Sequence, residues 1–378
     1  MYKNNIKKYY AFRVLYTINL TVPIFMLFML DIGLTGFQIF ITQAIYAGIE
    51  LLLTVPSGIF ADKVGRKFTL IVSSLTYAAG YLLYGVAEGF WGIIIAEVVF
   101  AISSASFHGT GEAFLFDTLA EEGKEKKFKK VVGTAFAIQS TIIGISAIVG
   151  GWIASIDLAL PFFISAVPAG LSVLPLLFLH EPKRVKAEKQ EFKKAIIEAL
   201  SDKELRHLLY YMGISTLAGF AGFMLYQPLL TAAGIPVQGM GLFVFALGIA
   251  TAIGNKLSHK VEKHIAGKNF LLLFTTMKAV LYLVMYLFGS WTLMVCAFML
   301  DMVGGFASPI VVEMLSKKSR KETRATINSV GSMAATLSFT MLSPVVGKTV
   351  DLFSEQAGIL LIALLFAGLG LKFVFRKQ

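Results

Sequence analysis

Twelve long apolar runs separated by short polar gaps leave this chain few folds to adopt. The runs fall at roughly 10–30, 37–60, 68–87, 90–116, 130–154, 159–180, 205–230, 239–259, 268–288, 291–315, 324–349 and 354–375. A membrane-spanning helix takes roughly 20 apolar residues. In hydrocarbon the backbone can satisfy its own hydrogen bonds only as a helix or a closed barrel, and runs of this length are helical. The composition agrees, with 56% hydrophobic and only 15% charged residues in 378, too apolar for a soluble domain of that size. The expected fold class is all-α integral membrane, with 12 transmembrane helices.

The net charge of +11 would suit a nucleic-acid binder if the bases formed one surface. They do not. Residues 61–67, 117–130, 181–204, 260–268 and 316–324 are rich in Lys and Arg, whereas 31–36, 88–89, 155–158, 231–238 and 350–353 contain none. On this placement every Lys and Arg except Lys278 and Lys348 lies on one side. The positive-inside rule makes that side cytoplasmic. The expectation is a multi-pass protein of the cell membrane, both termini cytoplasmic, with no nucleic-acid partner. Lys3, Lys7 and Lys8 before an apolar run resemble a signal peptide, but the run is too long and lacks a small-residue cleavage pattern, so it reads as an uncleaved first helix. The single cysteine, Cys296, excludes an intramolecular disulfide and a Cys-based metal site. No metal site or cofactor is expected.

The longest connection divides the runs six and six: an N-terminal bundle over 1–180, a cytoplasmic linker over 181–204 and a C-terminal bundle over 205–378. The linker interleaves bases (Lys183, Arg184, Lys186, Lys189, Lys193, Lys194) with acids (Glu181, Glu188, Glu191). Phe192, Ala195, Ile196, Ile197 and Leu200 in it are spaced as an amphipathic helix suited to the inner leaflet. Gly58 corresponds to Gly254, and the stretch Phe107 to Gly133 to Phe306 to Gly331, at offsets of about 196–199 residues. This is the pattern of a duplicated six-helix unit.

Between the second and third runs stands Gly58-Ile59-Phe60-Ala61-Asp62-Lys63-Val64-Gly65-Arg66-Lys67. Gly65 suits a tight turn, Asp62 suits the positive end of a neighbouring helix, and Arg66 and Lys67 suit the headgroup layer. The order G-x-x-x-D-x-x-G-R-K at this place resembles the loop 2–3 signature of the major facilitator superfamily. The stretch Gly111-Glu112-Ala113-Phe114-Leu115-Phe116-Asp117 resembles the G-x-E-A-x-x-x-D ending of helix 4 in many bacterial, drug-efflux-like members. The resemblance implies two six-helix bundles around a central cavity that work by rocking alternating access. It also implies that Gly58, Asp62, Gly65, Arg66, Lys67 and Asp117 form a gate, with Asp117 paired to Arg66 and Asp62 facing the N-terminus of helix 11 near Thr323–Thr326. One departure stands out. Where drug–proton antiporters of the family carry Gly-Pro-x-x-Gly-Gly in helix 5, this chain has Ser146-Ala147-Ile148-Val149-Gly150-Gly151.

An ionisable side chain at membrane depth is costly and marks a functional candidate. Glu50 lies mid-run, and Gln43, Tyr46, Glu50, Thr54 and Ser57 share one helix face. Such a stripe suits either a water-filled cavity or a helix–helix seam; in a cavity Glu50 becomes a candidate proton carrier. Glu97, Ser104, His108 and Glu112 cluster on one side of the fourth run, with His108 and Glu112 one turn apart and placed to share a proton. Asp301 lies inside the tenth run with Ser308 on its side. Lys278, mid-way along the ninth, is expected either to snorkel or to pair structurally. Arg13 either snorkels or lines the inner cavity.

No G-x-x-x-x-G-K-[ST], H-E-x-x-H or G-x-S-x-G motif occurs, so neither ATP-driven transport nor a hydrolase is indicated and no catalytic residue is assigned. The reading is a monomeric secondary transporter, proton-coupled, exporting amphipathic small molecules. Acids outnumber bases in the first-half cavity, which favours neutral or cationic lipophilic substrates. Uptake of a nutrient or metabolite, lipid movement, and a non-transporting receptor are the alternatives.

Overall fold

A computed structural model describes residues 2–183, 192–264, 268–320 and 323–374. Residues 184–191, which hold much of the charged part of the predicted linker, and residues 375–378 lie outside them. Every regular element among the described residues is helical. Twelve helices are long and apolar enough to cross a membrane, from Asn4–Asp31 and Gly36–Val64 to Thr326–Leu352 and Glu355–Val374. Each predicted run overlaps one of them.

Some spans are broken, and the breaks show how a buried backbone is kept satisfied. The first span is helical over Tyr2–Thr17, then a 3-10 turn over Val22–Ile24, then helical over Phe25–Asp31. Pro23 has no N–H to continue the ladder. The freed amides find side chains instead: Thr21 N donates to Asn19 Oδ1 at 3.0 Å and Leu20 N to Ser165 Oγ at 3.0 Å. The Leu20 carbonyl faces Gly150, where an added Cβ would run into it. Gly151 meets the backbone of Gly241 in the same way. The paired glycines in the fifth span are therefore contact points for bare backbone. The fourth span is also split, into Gly89–His108 and Gly111–Ala120.

The chain forms two compact units, one of Met1–Leu34, Ile45–Ala187 and Val237–Phe245, the other of Thr35–Ala44, Glu188–Pro236 and Ala246–Gln378. The simple division at the linker is thus crossed twice. In the first unit, Gly241 sits against the Ala147 carbonyl. In the second, Phe37 N donates to Asp351 Oδ2 at 3.0 Å and Gly347 packs on Gly36. Small residues let these helix ends approach closely.

Each unit has its own core. Tyr9, Phe12, Tyr16, Phe114 and Leu119 are buried in the first, and Leu205, Tyr211, Phe274, Val311 and Phe373 in the second. The duplication is visible in the packing: in one unit Gly109 abuts the backbone of Gly58, in the other Gly305 abuts Gly254, both pairs displaced by 196 residues. The linker's amphipathic segment is helical over Phe192–Ser201. Its alanine face, Ala195 and Ala199, is buried in the second unit's core, while Ile196, Ile197 and Leu200 stay exposed. Ala195 therefore makes a protein contact and does not belong to the leaflet-facing set expected from spacing. Glu198 fastens this helix by accepting from Arg320 N at 2.7 Å and from the Thr323 hydroxyl.

Two glycines of one helix test the role assigned to close backbone contact. Gly150→Ala drives a methyl into the Leu20 carbonyl and is expected to cost about 1–3 kcal/mol. Gly133→Ala, whose Cβ meets nothing within 4 Å, is expected to be neutral or stabilising. Thermal unfolding of the two purified variants measures the contrast.

Candidate functional site

The turn between the second and third spans is tighter than its sequence implies. Helix Gly36–Val64 and helix Arg66–Gly85 are separated by Gly65 alone, with φ +124°, a conformation that L side chains avoid. A Cβ there would also press on the Glu181 carboxylate at 3.3 Å. That carboxylate caps the third span: Arg66 N donates to Oε1 at 2.7 Å and Lys67 N to Oε2 at 2.8 Å, so two orphan amides at a positive helix end meet a negative group.

The basic side chains also turn inward. Arg66 is buried, and its Nε lies 2.9 Å from Asp117 Oδ2. Lys67 Nζ donates to the carbonyls of Leu177 at 2.6 Å and Leu179 at 3.0 Å. Carbonyls at the end of the sixth span and a buried carboxylate thus hold the two basic side chains. Asp62 is largely exposed, with Oδ1 3.9 Å from Arg66 Nη2. Gly58 has open space around its own Cβ position. Glu181 is the residue that sequence reasoning missed as part of this cluster; the acid immediately before Pro182, at the end of the sixth run, was its only signal.

Deeper in the first unit, Glu50 forms the second cluster. Its Oε1 accepts from Ser104 Oγ at 2.6 Å and lies 2.8 Å from His108 Nδ1. Tyr46 lies near enough to interact with the same carboxylate. The Glu50 side chain is 19% exposed and that of His108 61%, so the imidazole is the more open member of the pair. The rest of the predicted stripe is spent on structure. Thr54 Oγ1 donates to the Glu50 carbonyl at 2.7 Å, Ser57 Oγ donates to the Ala105 carbonyl at 2.7 Å, and Gln43 is buried.

His108 and Glu112 do not form the one-turn pair that helical spacing predicts. The break at Gly109 and Thr110 puts them on separate helices, and the His108 ring turns to Glu50 instead. Glu112 is exposed and shares a cavity of about 200 Å³ with His108 and Arg13. Glu97 is buried on the same helix as Ser104. In the second unit Lys278 is buried and does not snorkel. Its Nζ donates to Ser215 Oγ at 3.0 Å, lies 5.1 Å from the Tyr211 ring and 5.3 Å from the Phe366 ring, and interacts electrostatically with Asp301. Among the described residues no His, Cys, Asp and Glu group is arranged to hold a metal.

Comparison with known proteins decides the family. The profile of the Major Facilitator Superfamily matches residues 11–341. The chain belongs to this superfamily. The twelve helices long and apolar enough to cross a membrane accord with that membership. Multidrug resistance protein 1 of Bacillus subtilis is 26% identical over 232 residues, 59% of each chain. Quinolone resistance protein NorA of Staphylococcus aureus is 21% identical over 174 residues, 46% of this chain and 44% of that protein. The match thus spans about half of these curated relatives. The solved nucleoside transporter NupG superposes with a TM-score of 0.77 at 15% identity, over 100% of this chain and 99% of that one. A bacterial homolog of the human lysosomal transporter Spinster gives 0.79 at 15% identity, over 99% and 96%. At these identities the solved structures share the fold with this superfamily member.

The Arg66–Asp117 pair admits a direct test. Removing one partner of a buried ion pair strands the other charge, at a cost of about 3–5 kcal/mol. Arg66→Ala and Asp117→Ala are each expected to lower the unfolding temperature strongly, and the double variant to be hardly worse than either single one. Additive losses in a double-mutant cycle would show that the two groups are not coupled.

Proposed function

We propose that this transporter exports amphipathic small molecules in exchange for protons, from the cytoplasmic side of the cell membrane, with both termini in the cytoplasm. The observation that carries the reading is the Glu50–His108 pair with its Ser104 and Tyr46 partners. A carboxylate in the middle of a span needs a polar partner, and here that partner is itself titratable; two titratable groups in contact can pass a proton between them. The curated relatives named for multidrug and quinolone resistance support export. The basic gaps between spans support the orientation.

In this reading Glu50 holds the proton in one half of the cycle and gives it up when substrate occupies the cavity. Ser104 and Tyr46 stabilise the carboxylate, and His108, being more open, exchanges the proton with water. The Asp62, Arg66, Lys67 and Asp117 cluster acts as a gate. Glu181 belongs to the same gate, since its carboxylate holds the start of the third span.

Inside-out vesicles with an imposed proton gradient test this. Cationic, neutral, anionic and zwitterionic amphiphiles are added in turn, and dissipation of the gradient is followed. The expectation is dissipation by one of these classes, slowed by at least about tenfold in Glu50→Gln, a loss of ~1.4 kcal/mol of barrier stabilisation. No dissipation by any compound would contradict proton-coupled export. Dissipation that survives Glu50→Gln would move the proton site to Glu97, Glu112 or Asp301.

A further inference from the structure

Arg13 is a buried cation in the first unit whose placement the proton-exchange cluster does not explain. It sits in the first span, 4% exposed. Its guanidinium donates to Gln139 Oε1 of the fifth span and lies 4.6 Å from the centre of the Phe107 ring. Its Nε–H has no hydrogen-bond partner, and no carboxylate of a described residue forms an ion pair with it. A buried guanidinium without a counter-charge is expensive at any depth of a membrane protein. Yet the residue lines a cavity of about 200 Å³, together with Tyr9, Phe107, His108, Glu112 and Gln139. The cavity therefore offers a guanidinium whose Nε lacks an acceptor, an exposed carboxylate that forms no ion pair with it, and aromatic walls.

We propose that this cavity binds the charged head of a zwitterionic amphiphile, the carboxylate of the ligand on Arg13 and Gln139 and its ammonium at Glu112. This rests on the export reading and names the substrate class for it. A carboxylate matches the guanidinium fork and supplies the acceptor that Nε lacks. An ammonium beside Glu112 completes the charge balance, so neither protein charge is left alone. At about 200 Å³ the cavity is smaller than the ~300–1,000 Å³ typical of sites for drug-sized ligands. It thus takes a head group, with the apolar body of the ligand outside it. His108 faces this cavity and also holds Glu50, which puts the bound head next to the proton-exchanging pair.

The test is direct binding to the purified full chain in lipid nanodiscs, by calorimetry, with three matched probes. These are the amino acid biphenylalanine, its methyl ester, which lacks the carboxylate, and its N-acetyl derivative, which lacks the ammonium. The expected result is that the zwitterion binds at least about tenfold more tightly than either derivative. Arg13→Gln should abolish its advantage over the ester, and Glu112→Gln its advantage over the N-acetyl compound. Equal or tighter binding of the ester, a ranking unchanged by both substitutions, or no binding of any probe would overturn the proposal. Glu112 is exposed, so Glu112→Gln decides the matter if Arg13→Gln fails to fold. Because no gradient is involved, zwitterion binding without proton exchange would sink the export reading and leave the site standing. Proton exchange driven by cations alone, with no preference for the zwitterion, would do the reverse.

Discussion

A polar group inside a hydrocarbon layer must find its partner within the protein, because no water is there to replace one. The arrangement of the first unit follows from that constraint. Where Pro23 interrupts the first span, Asn19 and Ser165 take up the amides that the helix releases. Where Gly65 ends one helix and the next begins, Glu181 takes up the first amides of the third span. Where charge enters the interior, Arg66 meets Asp117 and Glu50 meets His108 and Ser104. Arg13 departs from this pattern, since its Nε is left without a hydrogen-bond partner beside a cavity.

The same constraint explains which features can be read from one dimension. Long apolar runs announce spans because each must cover the full hydrocarbon thickness, so all twelve were legible along with their approximate ends. The breaks were not. Proline and glycine are tolerated inside membrane helices when neighbours repair the ladder, and the repair beside Asn19 depends on Ser165, far away in sequence. Helical spacing pointed His108 to Glu112, a partner on the same run, and could not anticipate that a break at Gly109 would send it to Glu50 on another helix. Glu181 looked like one more linker charge because its partners, the amides of Arg66 and Lys67, lie more than a hundred residues earlier. Arg13 remained ambiguous between snorkelling and lining a cavity; burial beside Phe107 and Gln139 resolves it.

What the sequence did expose was chemistry placed against its cost. Glu50 stood out because a carboxylate is rare at mid-span, and it is the residue around which a histidine, a serine and a tyrosine converge. The glycine pair 150–151 stood out as a remnant of an antiporter pattern, and its physical role is backbone contact with Leu20 and Gly241. The absent Gly-Pro leaves that contact intact. In this chain the close approach of helices in the fifth span does not depend on the proline.

The central claim is that substrate and proton compete through Glu50. The most direct measurement is proton release when a zwitterionic amphiphile binds to the purified protein in weakly buffered solution, with no membrane gradient present. Release is predicted from the wild-type protein, with a stoichiometry set by how far Glu50 was protonated beforehand, and none from Glu50→Gln at equal occupancy. Equal release from both would show that the proton comes from another group, and the Glu50–His108 pair would then be structural.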